Sequence, residues 1–449
     1  MNAFPAQLSS RRSSGILLGI VLGVLLLARL LAGAWLAGHR PEFVLHDDGA
    51  DYRELAQAVA AGDGLTIRSV RWFEPPALPH PRPEAFRPPL LSVLAAPFLW
   101  GAPDSLFRLL AFQALLMTAL SGAVAGWLWR QAGPAAAWSG LVLLNLHPLI
   151  NLSAGRFSTE ILFMLCLMLV LLAWQARARW WTHAGAGAAV GLATLARPTA
   201  LLLLPPALLL AGWSTWSCGL RKALAAALLV LAGFAVTAGP YAVRNRLSCG
   251  AASVTGFFGG YNFWVGNHPE NLAAYRSPDG AAFLRHQDAI WNETRTRAAE
   301  MAAGGGDLSP VRQEQFWRRA ALENLRKMGG CRWAELLAWK AWHFVRPWPQ
   351  PGVHAAPAFA VLAAFETALF LLGLAGLAAL ANSHQWRTLA GLVAVMACGL
   401  AAHTLVHVYL RHRFPFLDLT LILAGACWLG NRLSLWCGKT GVDRVLFRH

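Results

Sequence analysis

Residues 14–37 read SGILLGIVLGVLLLARLLAGAWLA, an apolar run of the length that crosses the hydrocarbon core of a bilayer. It is too long for a signal peptide and no small-residue cleavage site follows it, so we expect a retained transmembrane helix. Soon afterwards the chain reads His46-Asp47-Asp48-Gly49-Ala50-Asp51-Tyr52, with three carboxylates in five residues. Acids this dense are costly inside hydrocarbon but suit a site beside a membrane. Together the two stretches predict a membrane protein with a polar site next to its first helix.

The composition of the chain agrees with this class. Of its 449 residues, 56% are hydrophobic and 13% are charged, whereas about a quarter of the residues in a typical soluble protein are charged. The net charge of +16 comes from basic residues spread over many segments rather than gathered in one domain. This distribution indicates membrane topology and contact with lipid headgroups, and it argues against nucleic-acid binding.

Apolar runs recur along the chain and predict the fold class. We expect an all-α polytopic membrane protein with about ten transmembrane helices, and with short helices in its extracytoplasmic loops. Pro198 disfavours helix at Arg197 and separates the fifth span from the sixth, although one long kinked helix is the alternative. The predicted spans are 14–37, 106–129, 134–152, 157–175, 183–196, 198–213, 220–243, 355–381, 386–408 and 412–432.

Basic residues between the spans predict the orientation of the chain. With ten spans both termini lie on one side, and every predicted short loop on that side carries at least one basic residue. We therefore expect both termini in the cytoplasm. The basic residues concerned are Arg11, Arg12, Arg130, Arg177, Arg179, Arg221, Lys222, Arg387, Arg432, Lys439, Arg444 and Arg448.

This topology places most of the acids on the outer face. Residues 41–104 contain nine acids and residues 270–335 contain nine more, whereas only Glu160 lies between Asp104 and Glu270. Polar chemistry is therefore expected on that face. The predicted segments are a cytoplasmic N-terminus (1–13), a transmembrane core (14–243) that includes the first outer loop (39–105), a large extracytoplasmic loop (244–353), C-terminal transmembrane helices (354–432) and a cytoplasmic tail (433–449).

The seven cysteines do not suggest a metal site, because none of their spacings resembles a zinc-binding pattern. Cys166, Cys398 and Cys427 lie in apolar spans and are expected in the core. Cys249 and Cys331 both fall in the large outer loop, where a disulfide could persist.

The acids after the first span are the first candidates for chemistry. Asp47, Asp48 and Asp51 stand at the start of an expected helix, where capping and the helix dipole favour Asp, so a solvated helix start is one interpretation. The other interpretation is a functional site, since a helix beginning near Tyr52 would hold a carboxylate firmly at the membrane surface. The residues themselves leave both open.

Several ionisable residues lie at the edges of apolar runs. Glu160 opens the fourth span, where a carboxylate is costly unless it pairs, faces a cavity or reaches water. Arg197 lies between two spans and could either reach headgroups or bind a phosphate with its planar guanidinium group. Arg244, Lys340 and Arg413 at other span ends allow the same two interpretations.

The second outer segment contains a stretch of glycine, aromatic and amide residues. Residues 259–267 read GGYNFWVGN. Glycine permits close backbone approach, and Tyr261, Asn262 and Asn267 suit the faces and hydroxyl groups of sugars. An interfacial turn with an aromatic belt explains these residues equally well.

Taken in order, these segments resemble a known family. The matching motifs are Asp48 with Tyr52-Arg53-Glu54-Leu55-Ala56, Arg87-Pro88-Pro89-Leu90, Thr159-Glu160, Leu195-Ala196-Arg197-Pro198-Thr199, Arg244-Asn245, Gly259-Gly260-Tyr261-Asn262 with Gly266-Asn267, and Arg413-Phe414-Pro415. Their order and sidedness resemble the GT-C-fold glycosyltransferases, integral-membrane enzymes that use polyprenyl-phosphate sugars. The class includes the protein O-mannosyltransferases (glycosyltransferase family 39-like) and the bacterial aminoarabinose transferases of lipid A. The resemblance covers about residues 14–432.

The resemblance implies a glycosyltransferase (hexosyl- or pentosyltransferase) with a GT-C-like bundle in the bacterial inner (plasma) membrane. It implies inverting transfer of a sugar from a polyprenyl-phosphate donor to an envelope lipid, glycan or protein at the periplasmic face. Asp48 is the implied general base, with Asp47 as the alternate. The implied donor phosphate- and sugar-binding residues are Arg197, Arg244, Lys340, Arg413, Glu160, Tyr52, Arg87, Tyr261, Asn262 and Asn267. Membrane lipids are expected partners and nucleic acid is not. No nucleotide sugar or other cofactor is required, and a divalent metal is left open.

The chain departs from the family pattern at one important place. The usual Asp-Glu pair reads Asp48-Gly49 and is preceded by Asp47, which leaves open which aspartate is catalytic and whether a metal binds. Two rival classes also suit the composition. A transporter or lipid flippase would place ionisable residues near the middle of the membrane, and only Glu366 argues for it. A non-catalytic envelope-assembly protein of the same fold would carry the acids without chemistry.

Overall fold

Helices form nearly all of the regular structure. A computed structural model describes residues 4–71, 73–75, 78, 81–176, 179–277, 279–304, 308–350, 355–406 and 408–440, with the backbone alone for 4–14, 410 and 436–440. The long helices are α1 (Phe4–His39), α5 (Leu106–Leu146), α7 (Glu160–Gln175), α8 (Trp180–Ala196), α9 (Leu204–Thr215), α10 (Leu220–Cys249), α13 (Gly280–Ala303), α14 (Pro310–Met328), α15 (Gly330–Val345), α16 (Ala356–Asn382), α17 (Trp386–Leu405) and α19 (Leu419–Thr440).

Shorter elements connect these helices. They are α2 (Pro41–Val44), α3 (Gly49–Ala61), α4 (Leu90–Leu99), α6 (Pro148–Ala154), α11 (Gly259–Gly266), α12 (Glu270–Arg276), α18 (Leu410–Arg413), the 3₁₀ turns Pro198–Leu203 and Trp216–Cys218, and the π-helical turn Phe414–Asp418. Two short antiparallel strands pair in the first outer segment, β1 (Thr66–Ile67) with β2 (Arg82–Pro83), so that Thr66 faces Pro83.

Seven helical segments of the described residues are long and apolar enough to cross a membrane, so the chain is an integral membrane protein. The predicted count of ten is larger for two reasons. α5 bends at Gly133 (φ 83°), which separates the second predicted span from the third. α7 and α8 have 16 and 17 residues, fewer than the roughly 20 that cross hydrocarbon. The seven segments are Gly15–His39, Leu106–Leu146, Pro198–Cys218, Leu220–Cys249, Ala356–Asn382, Trp386–Leu405 and Arg411–Leu435.

The chain breaks at Arg197, as the sequence predicts. α8 ends at Ala196, Arg197 is extended (φ −148°, ψ 125°), and Pro198 begins a 3₁₀ turn that leads into α9. The proline ring disfavours the helical conformation at the residue before it. Two helices therefore meet here instead of one kinked helix, and Arg197 stands at their junction.

α8 and α10 cross at backbone distance because both carry glycine at the crossing. A Cβ atom on Gly187 would lie 1.9 Å from the carbonyl oxygen of Val230, and one on Gly233 would lie 1.9 Å from that of Ala184. Small residues permit this approach between membrane helices, whose association depends on close van der Waals packing.

The two outer segments pack against each other. The Phe257 amide donates to the Ala85 carbonyl at 2.8 Å, which joins the loop after α10 to the first outer segment. Aromatic rings from both segments form one cluster, and this packing brings residues far apart in sequence to the neighbourhood of α3. The cluster includes Phe73, Phe86, Phe258, Tyr261, Trp264 and Trp317.

The disulfide considered for the large outer loop does not form. Cys249 and Cys331 are both free thiols. Cys249 is buried at the end of α10, with its Sγ 3.9 Å from Nη1 of Arg244, whereas Cys331 is exposed near the start of α15.

Candidate active site

Asp48 is the residue immediately before α3, yet its side chain makes no capping hydrogen bond. Its carboxylate is 35% exposed and has two guanidinium partners, Arg87 Nη2 at 2.8 Å and Arg411 Nη2 at 3.5 Å. Burial alone would raise the pKa of Asp48, but the charges of Arg87 and Arg411 outweigh burial and lower that pKa to about 2. Asp48 is therefore ionised at neutral pH, and its carboxylate remains open to a second molecule.

Asp47 occupies the same turn with an unusual backbone. Its φ of 58° lies in the left-handed region, which Asp adopts more readily than most residues. Its Oδ2 lies 2.9 Å from Nδ1 of His46, 3.2 Å from Nη1 of Arg411 and 3.9 Å from Nη1 of Arg156. The two aspartates thus share Arg411, and Asp47 adds Arg156.

Gly49 explains why the chain departs from the Asp-Glu pattern. A Cβ atom at this position would lie 3.0 Å from the Phe157 carbonyl oxygen and 3.3 Å from that of Val44. The Phe157 amide also donates to the Val44 carbonyl at 2.9 Å. The turn that carries the aspartates and the segment before α7 are therefore in backbone contact, which leaves little room for a side chain at residue 49.

Arg87 connects Asp48 to a second carboxylate. Its Nε donates to Oδ2 of Asp51 at 2.8 Å. The guanidinium carbon lies 5.9 Å from the ring centroid of Tyr52 and 5.5 Å from that of Phe258. Burial alone would lower the pKa of Arg87, but the charges of Asp48 and Asp51 outweigh it and raise that pKa. Tyr52 and Phe258 therefore support an arginine that stays charged.

Asp51 belongs to a buried ion-pair network rather than to the open site. Arg71 Nε donates to Asp51 Oδ2 at 2.6 Å, and the same guanidinium group pairs with Glu74 at 3.4 Å and with Glu84. Arg82 in turn pairs with Glu74. This network fixes the first outer segment and holds Asp51 against Arg87.

Glu160 and Arg197, considered separately in the sequence, meet as an ion pair. Arg197 Nε also donates to Oγ1 of Thr159 at 3.1 Å, and its guanidinium carbon lies 5.8 Å from the ring centroid of Phe163. The pair explains how a carboxylate opens a buried helix without facing hydrocarbon. The charge of Arg197 is close enough to contribute to the low pKa of Asp48.

Arg244 contacts protein backbone instead of the two aspartates. Its guanidinium group donates to the carbonyl oxygens of Leu65 and Glu84, and to Oδ1 of Asn245 at 3.0 Å. These bonds tie the end of α10 to the first outer segment. In this arrangement the Arg244 donors hold the fold, and a role for Arg244 at the donor phosphate stays a prediction.

Tyr261 and Asn262 lie on α11 within or beside the aromatic cluster. The ring of Tyr261 stacks on Phe73 with centroids 4.5 Å apart and on Phe258 at 5.1 Å. Burial raises the pKa of Tyr261. Asn262 is half-buried, and its backbone N–H donates to the Phe258 backbone carbonyl at 3.1 Å. Through Phe258 these residues support Arg87.

Lys340 and Asn267 form a polar contact at the carboxyl end of α17. Lys340 Nζ donates to Oδ1 of Asn267 at 3.1 Å and to the Val406 carbonyl at 2.7 Å. Asn267 Nδ2 donates to the Leu405 carbonyl, and Trp333 Nε1 donates to Asn267 Oδ1. Burial lowers the pKa of Lys340 to about 7. Donors here satisfy carbonyl groups at a helix end, and they hold the segment that leads to Arg411.

Arg413, expected at the donor phosphate, lies in a sealed cluster. It is 1% exposed, and its Nη2 donates to Glu366 Oε2 at 2.7 Å and to Asp418 Oδ1 at 2.9 Å. Arg411 faces the aspartates instead. Residues two apart on a helix point roughly 200° apart. Arg411 therefore contacts Asp47 and Asp48, whereas Arg413 contacts Glu366.

The sequence reading did not select Arg156 or Arg411 for the site. Arg156 lies with its guanidinium carbon 4.8 Å from the ring centroid of Phe43, and burial lowers its pKa. Arg156 stands three residues before the Thr159-Glu160 motif, and Arg411 stands two residues before Arg413. Their positions next to these motifs were the features of the sequence that could have indicated a place in the site.

The Asp48 site therefore comprises Asp47, Asp48, Arg87, Arg156 and Arg411. Three guanidinium groups face two carboxylates, and each guanidinium group has five N–H donors. A carboxylate in this setting can accept a proton from a nucleophile, while the surplus donors can bind an anion such as a phosphate.

Metal-binding side chains meet elsewhere in the described part of the chain. One group of three is found there, and it comprises His147, Glu366 and Asp418. Asp47 and Asp48 are matched by guanidinium groups and are not members of it.

Solved structures resemble the chain in overall arrangement. No protein-family model matches it, and no curated protein does. ArnT from Cupriavidus metallidurans bound to undecaprenyl phosphate is 18% identical, with 93% of this chain and 78% of that chain covered and a TM-score of 0.37. The apo state of ArnT is also 18% identical, covers 95% and 79%, and gives a TM-score of 0.39.

An archaeal protein gives a further match. The oligosaccharyltransferase AglB from Archaeoglobus fulgidus, in complex with an inhibitory peptide and a dolichol-phosphate, is 14% identical with a TM-score of 0.46. The match covers 95% of this chain and 51% of that one, so the chain spans about half the length of AglB. At these identities and TM-scores the similarity does not indicate a function for this chain.

Proposed function

We propose that the chain is a membrane glycosyltransferase that moves a sugar from a polyprenyl-phosphate donor to a lipid, glycan or protein of the cell envelope. The observation that carries this proposal is a part-exposed carboxylate, Asp48, in contact with two guanidinium groups in a chain of membrane helices. Transfer from a lipid phosphate requires a base for the acceptor and cations for the departing phosphate.

In the proposed reaction Asp48 takes the proton of an acceptor hydroxyl or amine as that group attacks the anomeric carbon. The bond from the anomeric carbon to the phosphate oxygen breaks, its electron pair leaves with the polyprenyl phosphate, and the anomeric carbon is inverted. Arg411 and Arg156 stabilise the charge that develops on the phosphate. Arg197, which pairs with Glu160, adds positive charge near the site without contacting Asp48. Asp47 is the alternate base.

The same arginines would tune the base. In the free protein Arg87 and Arg411 lower the pKa of Asp48. A donor phosphate competes for the N–H groups of Arg411, so Asp48 loses part of this stabilisation and its pKa rises. Asp48 therefore becomes a better proton acceptor when the donor is bound.

We also propose that the site faces the periplasm and that both termini are cytoplasmic. The support is the position of the basic residues. They concentrate in the short loops predicted on the side opposite the acid-rich segments. A lipid-linked donor suits this side, because its sugar is presented at the membrane surface without a nucleotide.

Lipid profiling of a deletion strain tests the class of reaction. A polyprenyl-phosphate sugar should accumulate, and an envelope acceptor should lack its sugar. The wild-type gene should restore the profile, Asp48→Asn should not, and Asp104→Asn should. Asp104 is the matched control because it is an acid of the same segment that is 83% exposed and paired with Arg53. A deletion strain with unchanged lipid-linked sugars and unchanged envelope glycans would contradict the proposal.

A purified assay separates the enzyme from a flippase. Detergent-solubilised protein is mixed with a detergent extract of whole envelopes from the deletion strain, which contains both the accumulated donor and the unmodified acceptor. A glycosyltransferase forms the modified acceptor in detergent, where no membrane side exists. A flippase forms no product under these conditions.

A further inference from the structure

A second polar cluster lies inside the helix bundle and has no part in the proposed reaction. His147 stands between α5 and α6, Glu366 lies in α16, and Asp418 ends the π-helical turn. All three are fully buried. We define these residues with Arg413 as the His147 cluster.

Arg413 binds one oxygen of each carboxylate and leaves the other facing His147 Nε2. Its Nη2 donates to Glu366 Oε2, and its Nε and Nη2 donate to Asp418 Oδ1 at 3.1 and 2.9 Å. Glu366 Oε1, Asp418 Oδ2 and His147 Nε2 form no hydrogen bond. Buried polar atoms are rarely left unpaired, so three in one place point to a missing partner.

The three unpaired atoms have the spacing of metal ligands. His147 Nε2 lies 3.4 Å from Asp418 Oδ2 and 3.5 Å from Glu366 Oε1, and all three lie within 4.8 Å of one another. Ionic N–H···O hydrogen bonds are shorter, at about 2.7–2.9 Å. Tetrahedral zinc with bonds of about 2.0–2.1 Å separates its ligands by about 3.3–3.4 Å. An ion at the centre closes the gap better than a proton on His147.

Charge supports the same conclusion. Arg413 is the guanidinium group that contacts both carboxylates, so one fixed positive charge serves two buried acids. Buried carboxylates are costly unless positive groups surround them. The Ile150 amide donates to the other ring nitrogen, Nδ1, over a long 3.5 Å bond. A ligand role for Nε2 therefore requires the ring proton to leave that nitrogen when the ion binds.

We propose that His147, Glu366 and Asp418 bind a zinc ion that joins α16, the α5–α6 junction and the turn after Arg413. Zinc accepts both imidazole nitrogen and carboxylate oxygen as ligands, and one nitrogen with two oxygens leaves a fourth position for water. Arg411, which contacts both aspartates of the Asp48 site, lies two residues from Arg413. The ion would hold the turn after Arg413, outside the Asp48 site.

Metal analysis of the purified full-length protein tests this proposal without any substrate. The protein is stripped with a chelator, reloaded with zinc or cobalt, and freed of excess metal. We expect one zinc ion per chain, and a visible cobalt spectrum of tetrahedral type. X-ray absorption at the zinc edge should show nitrogen and oxygen ligands and no sulfur, which excludes binding by the cysteines.

His147→Gln removes the nitrogen ligand and keeps the pairs between Arg413 and the two carboxylates. Its zinc affinity should fall at least tenfold, while His403→Gln, which changes another buried histidine, should bind as the wild type does. Wild-type protein that takes up no zinc, or zinc with sulfur ligands, would overturn the proposal, and so would undiminished binding by His147→Gln. If His147→Gln does not fold, the wild-type spectra still decide.

Discussion

The Asp48 site and the His147 cluster are built from the same side chains but differ in access and charge. In the Asp48 site three guanidinium groups face Asp47 and Asp48, one of them also pairs with Asp51, and Asp48 is 35% exposed. In the His147 cluster one guanidinium group faces two carboxylates, and every member is almost fully buried. The first arrangement suits an anionic ligand that comes and goes, and the second suits a permanent cation. Arginine and carboxylate alone therefore do not indicate a function; their ratio and exposure do.

The strongest test of this comparison is Arg413→Met. It removes the guanidinium partner of two buried carboxylates, so we expect the free energy of unfolding to fall by about 3–5 kcal/mol. Thermal unfolding in detergent measures the effect as a lower melting temperature. Arg411→Met is the control, because Arg411 is 34% exposed and should change stability by less than about 1 kcal/mol. Equal stability of the two variants would break the distinction between the regions.

Asp48→Asn should have the largest effect on activity. It keeps the shape of the side chain but removes the base, so we expect the rate of sugar transfer to fall by about 10²–10⁴ with expression and membrane insertion unchanged. Asp47→Asn should cost less, since Asp47 shares Arg411 but is only the alternate base. Turnover of Asp48→Asn at the wild-type rate would show that the base is misassigned.

Arg411→Ala and Arg156→Ala should weaken binding of the donor phosphate. Loss of a charge-assisted hydrogen bond costs about 1.5–3 kcal/mol, which corresponds to a roughly ten- to hundredfold higher Kd. Equilibrium binding of undecaprenyl phosphate to the solubilised protein measures it. Arg53→Ala, which removes the partner of Asp104, should bind normally. Normal binding by both site variants would place the phosphate elsewhere.

The pH profile of activity should separate the role of Arg411 from simple binding. The folded-state pKa of Asp48, about 2, lies below its ordinary value. Ionised Asp48 therefore stabilises the fold above the unfolded-state pKa, and this contribution is lost as the pH falls toward 2.

In kcat/KM no acid limb from Asp48 should appear near neutral pH. Arg411→Gln should raise the pKa of Asp48 and move the acid limb upward, and an unmoved limb would contradict the coupling.

The last prediction concerns Lys340, a buried amine with no carboxylate partner among the described residues. Burial lowers its pKa to about 7, so between about pH 7 and 10 the unfolded chain binds a proton that the folded chain does not. Stability should then rise with pH, by up to about 1.4 kcal/mol per unit. Melting temperatures of wild type and Lys340→Met across this range measure it. A parallel dependence in the two proteins would show that Lys340 does not titrate there.

The sequence predicted the helices well because apolar runs and proline act locally. The break at Arg197, the kink near Gly133 and the helix after Asp48 all lie where residue types indicate them. The predicted count of spans included α7 and α8, which are shorter than the roughly 20 residues that cross hydrocarbon. The partners of the arginines were not predictable, because Arg244, Arg411 and Arg413 each also bind a group far away in the sequence. These groups are the Glu84 carbonyl, Asp48 and Glu366.

By itself the sequence determined that this chain is a helical membrane protein and that the acids after its first helix are unusual. Hydrophobicity and charge act over short stretches, so they can be read residue by residue. Only the tertiary structure decided that Arg156 and Arg411 face Asp47 and Asp48, while Arg413 is sealed with Glu366. The reason is that ion pairing depends on distances through space, and two residues of one motif can point to opposite sides of a helix.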